Sequence, residues 1–325
     1  MIFGGIDIGG TTVKVGFVDK EGNILCRDLF HVENIKSYKN FLKRIFNSIK
    51  SLINNLENKY LIQGYGVGCP GRINVQEGRV LWCKGKLEYI ENQLLGPDLE
   101  ALLGKPVFCD NDVNSIVFGE AHFGKGKNAK IVVGLTFGAG IGGGIIINGN
   151  IIRGEHFTAG HFGYMSQDSS GRNHESGNSG AVEIHASHSG VIYKAKEAIQ
   201  LGMKTSLEEI INANNFGFNN IYEESEKGDK VSIRLVQELE SEMSVLIANL
   251  IFAFDPSIIL VGGGLLNAGK GVLTRVREKI IKRIDFLNNK EIIIERMSSY
   301  EKVGIIGGAA LAKMELNKIN VQKKG

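Results

Sequence analysis

Asp7, Gly9, Gly10, Thr11, Thr12 and Lys14 place a carboxylate, a glycine pair, two hydroxyls and an ammonium group in one short stretch of a 325-residue chain. Glycines let backbone N–H groups approach an anion, hydroxyls donate hydrogen bonds to it, and a carboxylate holds Mg²⁺ through water. Such a set suits a nucleotide phosphate. An ordinary hairpin whose Gly-Gly pair only makes a turn, with Lys14 facing solvent, accounts for the same residues.

Asp112 is the second centre. It follows Asp110-Asn111 where a helical pattern begins, and a carboxylate there is favoured and kept ionised by the positive end of the helix dipole. It suits a general base that accepts a proton from an alcohol, with the amides of Asn111 and Asn114 available to orient hydroxyls. The other reading of Asp112 is a simple N-cap.

His156, His161, His174, His185 and His188 lie close together in sequence. Zinc ligation is one reading, but no pair has HxxxH spacing with a third ligand nearby. Two glycine patterns are decoys. Gly119 to Lys125 begins like a Walker A loop but has Gly126 where a Mg²⁺-binding Ser or Thr is needed. Gly138-Ala139-Gly140-Ile141-Gly142-Gly143 fits GxGxxG but leads into Ile145-Ile146-Ile147, a strand, where a dinucleotide fold needs a helix.

The elements that must carry these groups read as two α/β halves. Ile2 to Ile8, the alternating Val13, Val15 and Phe17, and Ile24 to His31 read as three strands. Tyr38 to Asn55 has helical spacing. Leu61 to Gly68 is a strand ending in the turn Gly68-Cys69-Pro70-Gly71, a short helix surrounds Leu99 to Leu103, and Pro106 to Cys109 is a strand before the Asp112 helix. The second half opens with a hairpin, Ile131 to Thr136 and Gly142 to Ile147. A polar loop (165–180) and long helices follow, then helix 230–254, strand Ile258 to Val261 with Gly262-Gly263-Gly264, helix 270–284, strand Glu291 to Glu295 and a helix from Val303. Asn212 to Lys230 lacks apolar periodicity and reads as a surface connection. Two halves that each open on a glycine hairpin predict two phosphate loops facing one another across a cleft, with a hinge near 119–130.

Composition narrows the function class. Hydrophobic residues are 43%, charged residues 22% and the net charge +3, with no dense basic stripe; Lys318, Lys323 and Lys324 read as a solvated tail. Nucleic acid is therefore not an expected partner. Four cysteines without a CxxC pair read as reduced thiols. No leader pattern appears, and the uncharged stretch Ile131 to Ile152 is too rich in glycine for a membrane span, so a cytoplasmic protein is expected. Glycine is in excess, 43 residues against 4 prolines, and clusters at strand ends.

Six collinear motifs together resemble the ROK group of sugar kinases, repressors and related proteins. They are Asp7 to Lys14, Gly68 to Gly71, Asp110 to Asn114, Leu135 to Gly144, Phe254-Asp255-Pro256 with Val261 to Gly264, and Val303 to Ala310. The resemblance implies the actin-like ATPase (ribonuclease H-like) fold, with two α/β domains and a cleft between them. The first would hold 1–120 joined by the C-terminal helix 303–325, and the second 121–302. It also implies transfer of a phosphoryl group from MgATP to the 6-hydroxyl of a hexose or N-acylhexosamine. Asp112 would be the base, and Gly71, Asn111, Asp112, His161 and Glu183 would hold the sugar. ATP would meet Gly9, Gly10, Thr11, Thr12, Lys14, Thr136 and Gly138, with Gly263 and Gly264 beside the adenosine and Mg²⁺ held by Asp7 and the nucleotide. Closure of the two halves would exclude water. A homodimer is implied too. The repressors of the group carry an N-terminal helix-turn-helix, for which a strand starting at residue 2 leaves no room.

The chain departs from the family pattern around the sugar. Where the family has ExGH followed by CxCGxxGCxE, this chain has His161-Phe162-Gly163-Tyr164 and then His174 to Glu183. The four zinc positions become Tyr164, His174, Ser176 and Ala181, of which only His174 is a competent ligand, so no zinc is expected and the Tyr164 ring would fill the space. His161 stands for the usual Glu and offers one donor and one acceptor, a pairing that suits an N-acetyl carbonyl. Ala139 replaces a common Thr. A catalytically weak sugar-binding sensor is the alternative that these changes suggest.

Overall fold

Alternating apolar residues make the first strands, and the computed structural model describes them with residues 1–57, 60–83, 85, 87–285, 287, 293–298 and 300–322. In chain order the elements begin with β1 (Ile2–Ile8), β2 (Thr12–Asp19), β3 (Ile24–His31), α1 (Tyr38–Asn54), β4 (Ile62–Cys69), β5 (Arg72–Asn74), β6 (Arg79–Trp82), α2 (Leu95–Leu103), β7 (Val107–Asn111) and α3 (Asp112–Phe123). Then come β8 (Ile131–Phe137), β9 (Ile141–Ile147), β10 (Asn150–Ile151), α4 (Val182–Ala186), α5 (His188–Gln200), α6 (Leu207–Asn212), α7 (Phe218–Glu226) and α8 (Lys230–Phe254). The chain closes with β11 (Ile258–Gly262), α9 (Leu265–Ala268), α10 (Val272–Ile281), β12 (Ile294–Arg296) and α11 (Tyr300–Gln322).

The chain divides into two compact units, residues 1–130, 144–159 and 297–325, and residues 131–143 and 160–296. The first contains a five-stranded sheet ordered β3-β2-β1-β4-β7. β2 runs antiparallel to β1 and β3, while β4 is parallel to β1 and β7. Its core joins Ile6, Val13, Val15 and Phe17 to Phe41 and Ile45 of α1, whose N-terminus Ser37 caps by accepting from the Asn40 N–H. α11 lies close against β1 and β4 because those strands present glycine to it. A Cβ on Gly5 would stand 1.9 Å from the Ile305 carbonyl oxygen, and one on Gly66 1.9 Å from that of Gly308.

The second sheet is ordered β10-β9-β8-β11-β12, with β11 parallel to β8 and β12. In the second unit, α8 buries Leu235, Leu239, Met243, Leu246, Ile247, Leu250 and Ile251. Among the described residues no helix is long and apolar enough to cross a membrane.

One expectation needs correction. Asn212 to Lys230 is not a bare connection, since it contains α7, which buries Phe218, Ile221 and Tyr222. These three apolar residues stand at helical spacing but are hidden among asparagines and glutamates, and Asn220 Oδ1 accepts from the Gly217 N–H at 2.6 Å to start the helix. The short β5–β6 pair had no counterpart in the sequence reading, because strands of three and four residues, Arg72–Asn74 and Arg79–Trp82, are too brief to show a period. Of the expected strand Glu291 to Glu295, residues 291 and 292 lie outside the described residues, as do Lys323 and Lys324 of the tail.

At the end of α3, burial pushes His122 below the usual imidazole range, reinforced by the nearby Lys313 charge and opposed by its contact with the Phe118 carbonyl, 3.0 Å from Nδ1. It lines a groove of about 580 Å³ with Phe123, Lys313, Met314 and Val321. A depressed folded value stabilises the protein above the unfolded value of about 6.5, and that stability is lost as pH falls through the folded value. His122→Leu should therefore lose less thermal stability than wild type on acidification from about pH 7 to about pH 5. Melting curves across that range check it; parallel pH profiles would contradict it.

Candidate active site

The first unit assembles a two-carboxylate centre. Asp7 is the penultimate residue of β1, directly opposite Lys14 in the antiparallel register, and its Oδ2 accepts from Lys14 Nζ at 3.3 Å. The side chains are 13% and 17% exposed, so Lys14 is an ion-pair partner here and not a solvent-facing strand lysine. Burial pushes the Asp7 carboxyl above its usual range, the Lys14 charge pulls it down, and the nearby Asp112 carboxylate pushes it up again. Gly304 of α11 makes room for Asp7, since a Cβ there would stand 2.2 Å from the carboxyl carbon. That contact was not foreseen; the glycine spacing of Gly304, Gly307 and Gly308 within a helix was the available signal.

Gly9 to Thr12 form the tight turn after β1, closed by the Gly9 N–H donating to the Thr12 carbonyl at 2.8 Å. Gly10 and Thr11 are exposed. The turn therefore offers backbone and hydroxyl donors to solvent beside the Asp7–Lys14 pair.

Asn111, not Asp112, caps α3. Its Oδ1 accepts from the N–H groups of Val113 and Asn114, at 2.9 and 3.1 Å, while its Nδ2 donates to the Gly71 carbonyl at 3.0 Å. Gly71 holds φ +98°, where a Cβ would meet the Trp82 carbonyl oxygen at 2.0 Å, so only glycine fits. Asp112 is thus released from capping and sits in the first helical turn. Its Oδ1 accepts from the Val113 N–H at 2.9 Å, and among the described residues nothing engages Oδ2. Half-buried, at the positive end of a helix, this is a carboxylate oxygen open to a proton donor.

The second unit holds the remaining candidates in two groups. Thr136 is buried at the end of β8, in register with Gly262 of β11. Gly263, at φ +95°, packs so tightly on Phe137 that a Cβ would meet its carbonyl oxygen at 2.2 Å. Thr136, Gly138 and Gly263 are therefore brought together, with Gly264 next along as the start of α9. Around Gly138 there is open space, and its N–H donates to the Gly140 carbonyl at 2.9 Å.

The other group lies on the 161–183 segment, where the sequence reading expected Tyr164, His174, Ser176 and Ala181 in place of zinc ligands. Glu183 stands in the first turn of α4, and its Oε2 accepts from the Ile141 N–H at 2.5 Å. Its Oε1 lies 3.2 Å from His174 Nε2. His174 Nδ1 accepts from the Ser176 N–H at 3.0 Å, so the ring proton resides on Nε2 and is donated to Glu183. Tyr164 lies between two imidazoles, stacked on His161 at 5.2 Å and 3° and tilted against His174 at 4.9 Å. Asn178 ties the loop back by donating to the Tyr164 carbonyl at 2.8 Å. Among the described residues no cluster of three His, Cys, Asp or Glu has metal-binding geometry. The Ile141 amide as an anchor for Glu183 had no sequence signal, because backbone donors leave none.

Known proteins resemble the chain along nearly its whole length. The family model described as ROK family matches residues 3–315. A glucokinase of Streptomyces coelicolor is 30% identical over 317 residues, covering 95% of this chain and 96% of that protein. A beta-glucoside kinase of Listeria monocytogenes is 29% identical over 301 residues, covering 93% and 94%. A crystal structure of a ROK family glucokinase from Streptomyces griseus in complex with glucose and AMPPNP superposes with a TM-score of 0.79 at 26% identity, covering 97% of this chain and all of that one. The actin-like ATPase fold expected from the motifs is borne out by these likenesses.

Proposed function

The chain belongs to the ROK family, and from that premise we propose that it is an ATP-dependent sugar kinase acting on the 6-hydroxyl of a hexose or N-acylhexosamine. The observation that carries this reading is the Asp112 carboxylate, freed from capping by Asn111 and with no partner for Oδ2 among the described residues. Relatives named as glucokinases and beta-glucoside kinases support the phosphotransfer class and leave the sugar to this chain's own residues.

Asp112 would accept the hydroxyl proton as the sugar oxygen attacks the terminal phosphorus in line, and the bond from phosphorus to the bridging oxygen of ADP breaks. Asn111 and the Gly71 backbone would orient the acceptor. The Gly9–Thr12 turn and the Thr136–Gly138 turn would bind phosphate oxygens through backbone N–H and hydroxyl donors, with Lys14 nearby and Gly263 and Gly264 beside the adenosine. Asp7 carries the charge of its Lys14 partner on one side and feels the Asp112 carboxylate on the other, and a carboxylate so placed fits a Mg²⁺ site at Asp7. The metal, when bound, neutralises charge on the phosphate oxygens.

On the sugar side, His161 and Glu183 would contact hydroxyls or an acyl oxygen. The imidazole at position 161 offers a donor where the family offers a carboxylate, and this favours an acceptor with a carbonyl-bearing substituent. A cytoplasmic homodimer completes the reading, the dimer on family likeness alone.

The loop from Tyr164 to Glu183 is read as zinc-free, closed by the ring stack and the His174–Glu183 bond. Prolonged treatment with a strong chelator should leave the melting temperature of the nucleotide-free protein unchanged, and metal analysis should find no zinc. A chelator-induced drop in melting temperature would contradict this.

A coupled assay of ADP production over glucose, N-acetylmannosamine and a β-glucoside tests the function. Sugar-dependent ADP is expected with at least one of them. Binding without turnover for every sugar would favour a sensor instead.

A further inference from the structure

Beneath Asn111 and Asp112 lies a carboxylate that the reaction does not touch. Asp110 is the residue before Asn111 on β7, and its side chain is 2% exposed. Its Oδ1 accepts from the Asn111 N–H at 2.7 Å and from Asn114 Nδ2 at 3.0 Å. Its Oδ2 accepts from Arg153 Nε at 2.7 Å. Arg153 comes from the segment that follows β10, 43 positions away in sequence, and its NH2 group lies 3.5 Å from Glu315 Oε1 on α11.

A carboxylate this deeply buried stays charged only when it is paired and hydrogen-bonded. Two of its three donors belong to the turn that carries Asn111 and Asp112, so the charge of Asp110 holds that turn in shape. The third donor, Arg153, supplies the countercharge. A guanidinium is suited to this because it remains protonated and its fork of N–H groups can bridge two carboxylates. Without it, Asp110 would be an uncompensated buried charge, and the turn would have to move or take up water to relieve it.

We propose that Arg153 is a positioning residue for the acceptor-handling turn, acting through Asp110 to fix Asn111 and Asp112. The inference rests on the kinase reading of Asp112. Arg153 is engaged by Asp110 and Glu315 and is not among the groups assigned to either substrate. Its loss lowers turnover by displacing the base, and because a displacement of about 1 Å costs about a hundredfold in rate, kcat is the quantity that moves. Nucleotide binding at the Gly9–Thr12 turn is untouched.

The test compares full-length wild type with Arg153→Met, Arg153→Lys, Arg153→Ala, Asp110→Asn and the double variant Arg153→Met/Asp110→Asn. Arg153→Met is expected to lower kcat about a hundredfold with the KM for MgATP little changed. Arg153→Lys should recover part of the loss, and methylguanidinium added to Arg153→Ala should recover part of it again, which a fold defect would not allow. In the double variant kcat should fall no further than in Arg153→Met, and the melting temperature should rise above that of Arg153→Met because the stranded charge is gone.

Wild-type turnover in Arg153→Met, or losses that multiply in the double variant, would overturn the proposal. So would strictly additive melting-temperature shifts. If wild type turns over no sugar, the kinase reading fails by itself, and the melting-temperature cycle still decides the Asp110–Arg153 clamp.

Discussion

Asp112→Asn is expected to lower sugar-dependent ADP formation about 10²- to 10⁴-fold, the range a positioned general base contributes, with sugar and nucleotide affinity within a few-fold of wild type. The substitution is close to isosteric, and the cap of α3 belongs to Asn111, so the helix start survives it. An amide in place of Oδ2 cannot take the hydroxyl proton. A loss confined to kcat, with KM values nearly unchanged, marks an interaction made only in the transition state. The neighbouring carboxyl supplies a second reading of the same variant. Asp112 is one of the charges pushing Asp7 above its usual range, so removing it moves Asp7 back toward ordinary carboxylate behaviour. Steady-state kinetics with isothermal titration of sugar and nucleotide check the expectation. Unchanged kcat would remove Asp112 from the chemistry.

Gly66→Ala is the substitution with the largest expected cost to the fold. The added methyl would lie 1.9 Å from the Gly308 carbonyl oxygen and 2.8 Å from its carbonyl carbon, both backbone atoms of α11 that cannot rotate away. The helix must lift off β4, and overpacking of this kind costs about 3 kcal/mol or more. Lifting α11 also withdraws Gly304 from Asp7 and Glu315 from Arg153, so activity should fall with stability. Gly264→Ala is the contrast: right-handed helical backbone with open space around it, and no expected loss of stability. Urea unfolding of both variants is the check, and equal midpoints would show that α11 tolerates the methyl.

The parts of the molecule legible in sequence are those whose chemistry and position coincide in a short stretch. The β1–β2 hairpin showed itself through alternation on either side of Gly9-Gly10, and the Asp110-Asn111-Asp112 turn through its polar residues ahead of a helical pattern. The division of labour inside that turn was not legible. Asn111 and Asp112 are equally good caps by composition, and only the hydrogen bonds to Val113 and Asn114 assign the role to Asn111. The loss of the cysteine ligands was plain, yet the bond from His174 to Glu183 and the Tyr164 stack depend on ring orientation. α7 was hidden because three apolar residues among asparagines and glutamates give too weak a period. Arg153 and Asp110 stand far apart in the chain, and no local pattern links them.

The central claim is that this chain moves a phosphoryl group onto a sugar. Phosphorus NMR of wild-type protein incubated with MgATP and each of glucose, N-acetylmannosamine and a β-glucoside tests it most directly. A sugar kinase of this type yields, with at least one acceptor, a phosphomonoester coupled to the two C6 protons in equal amount to ADP. ATP left intact with every sugar, or hydrolysed to inorganic phosphate without a sugar ester, would contradict it.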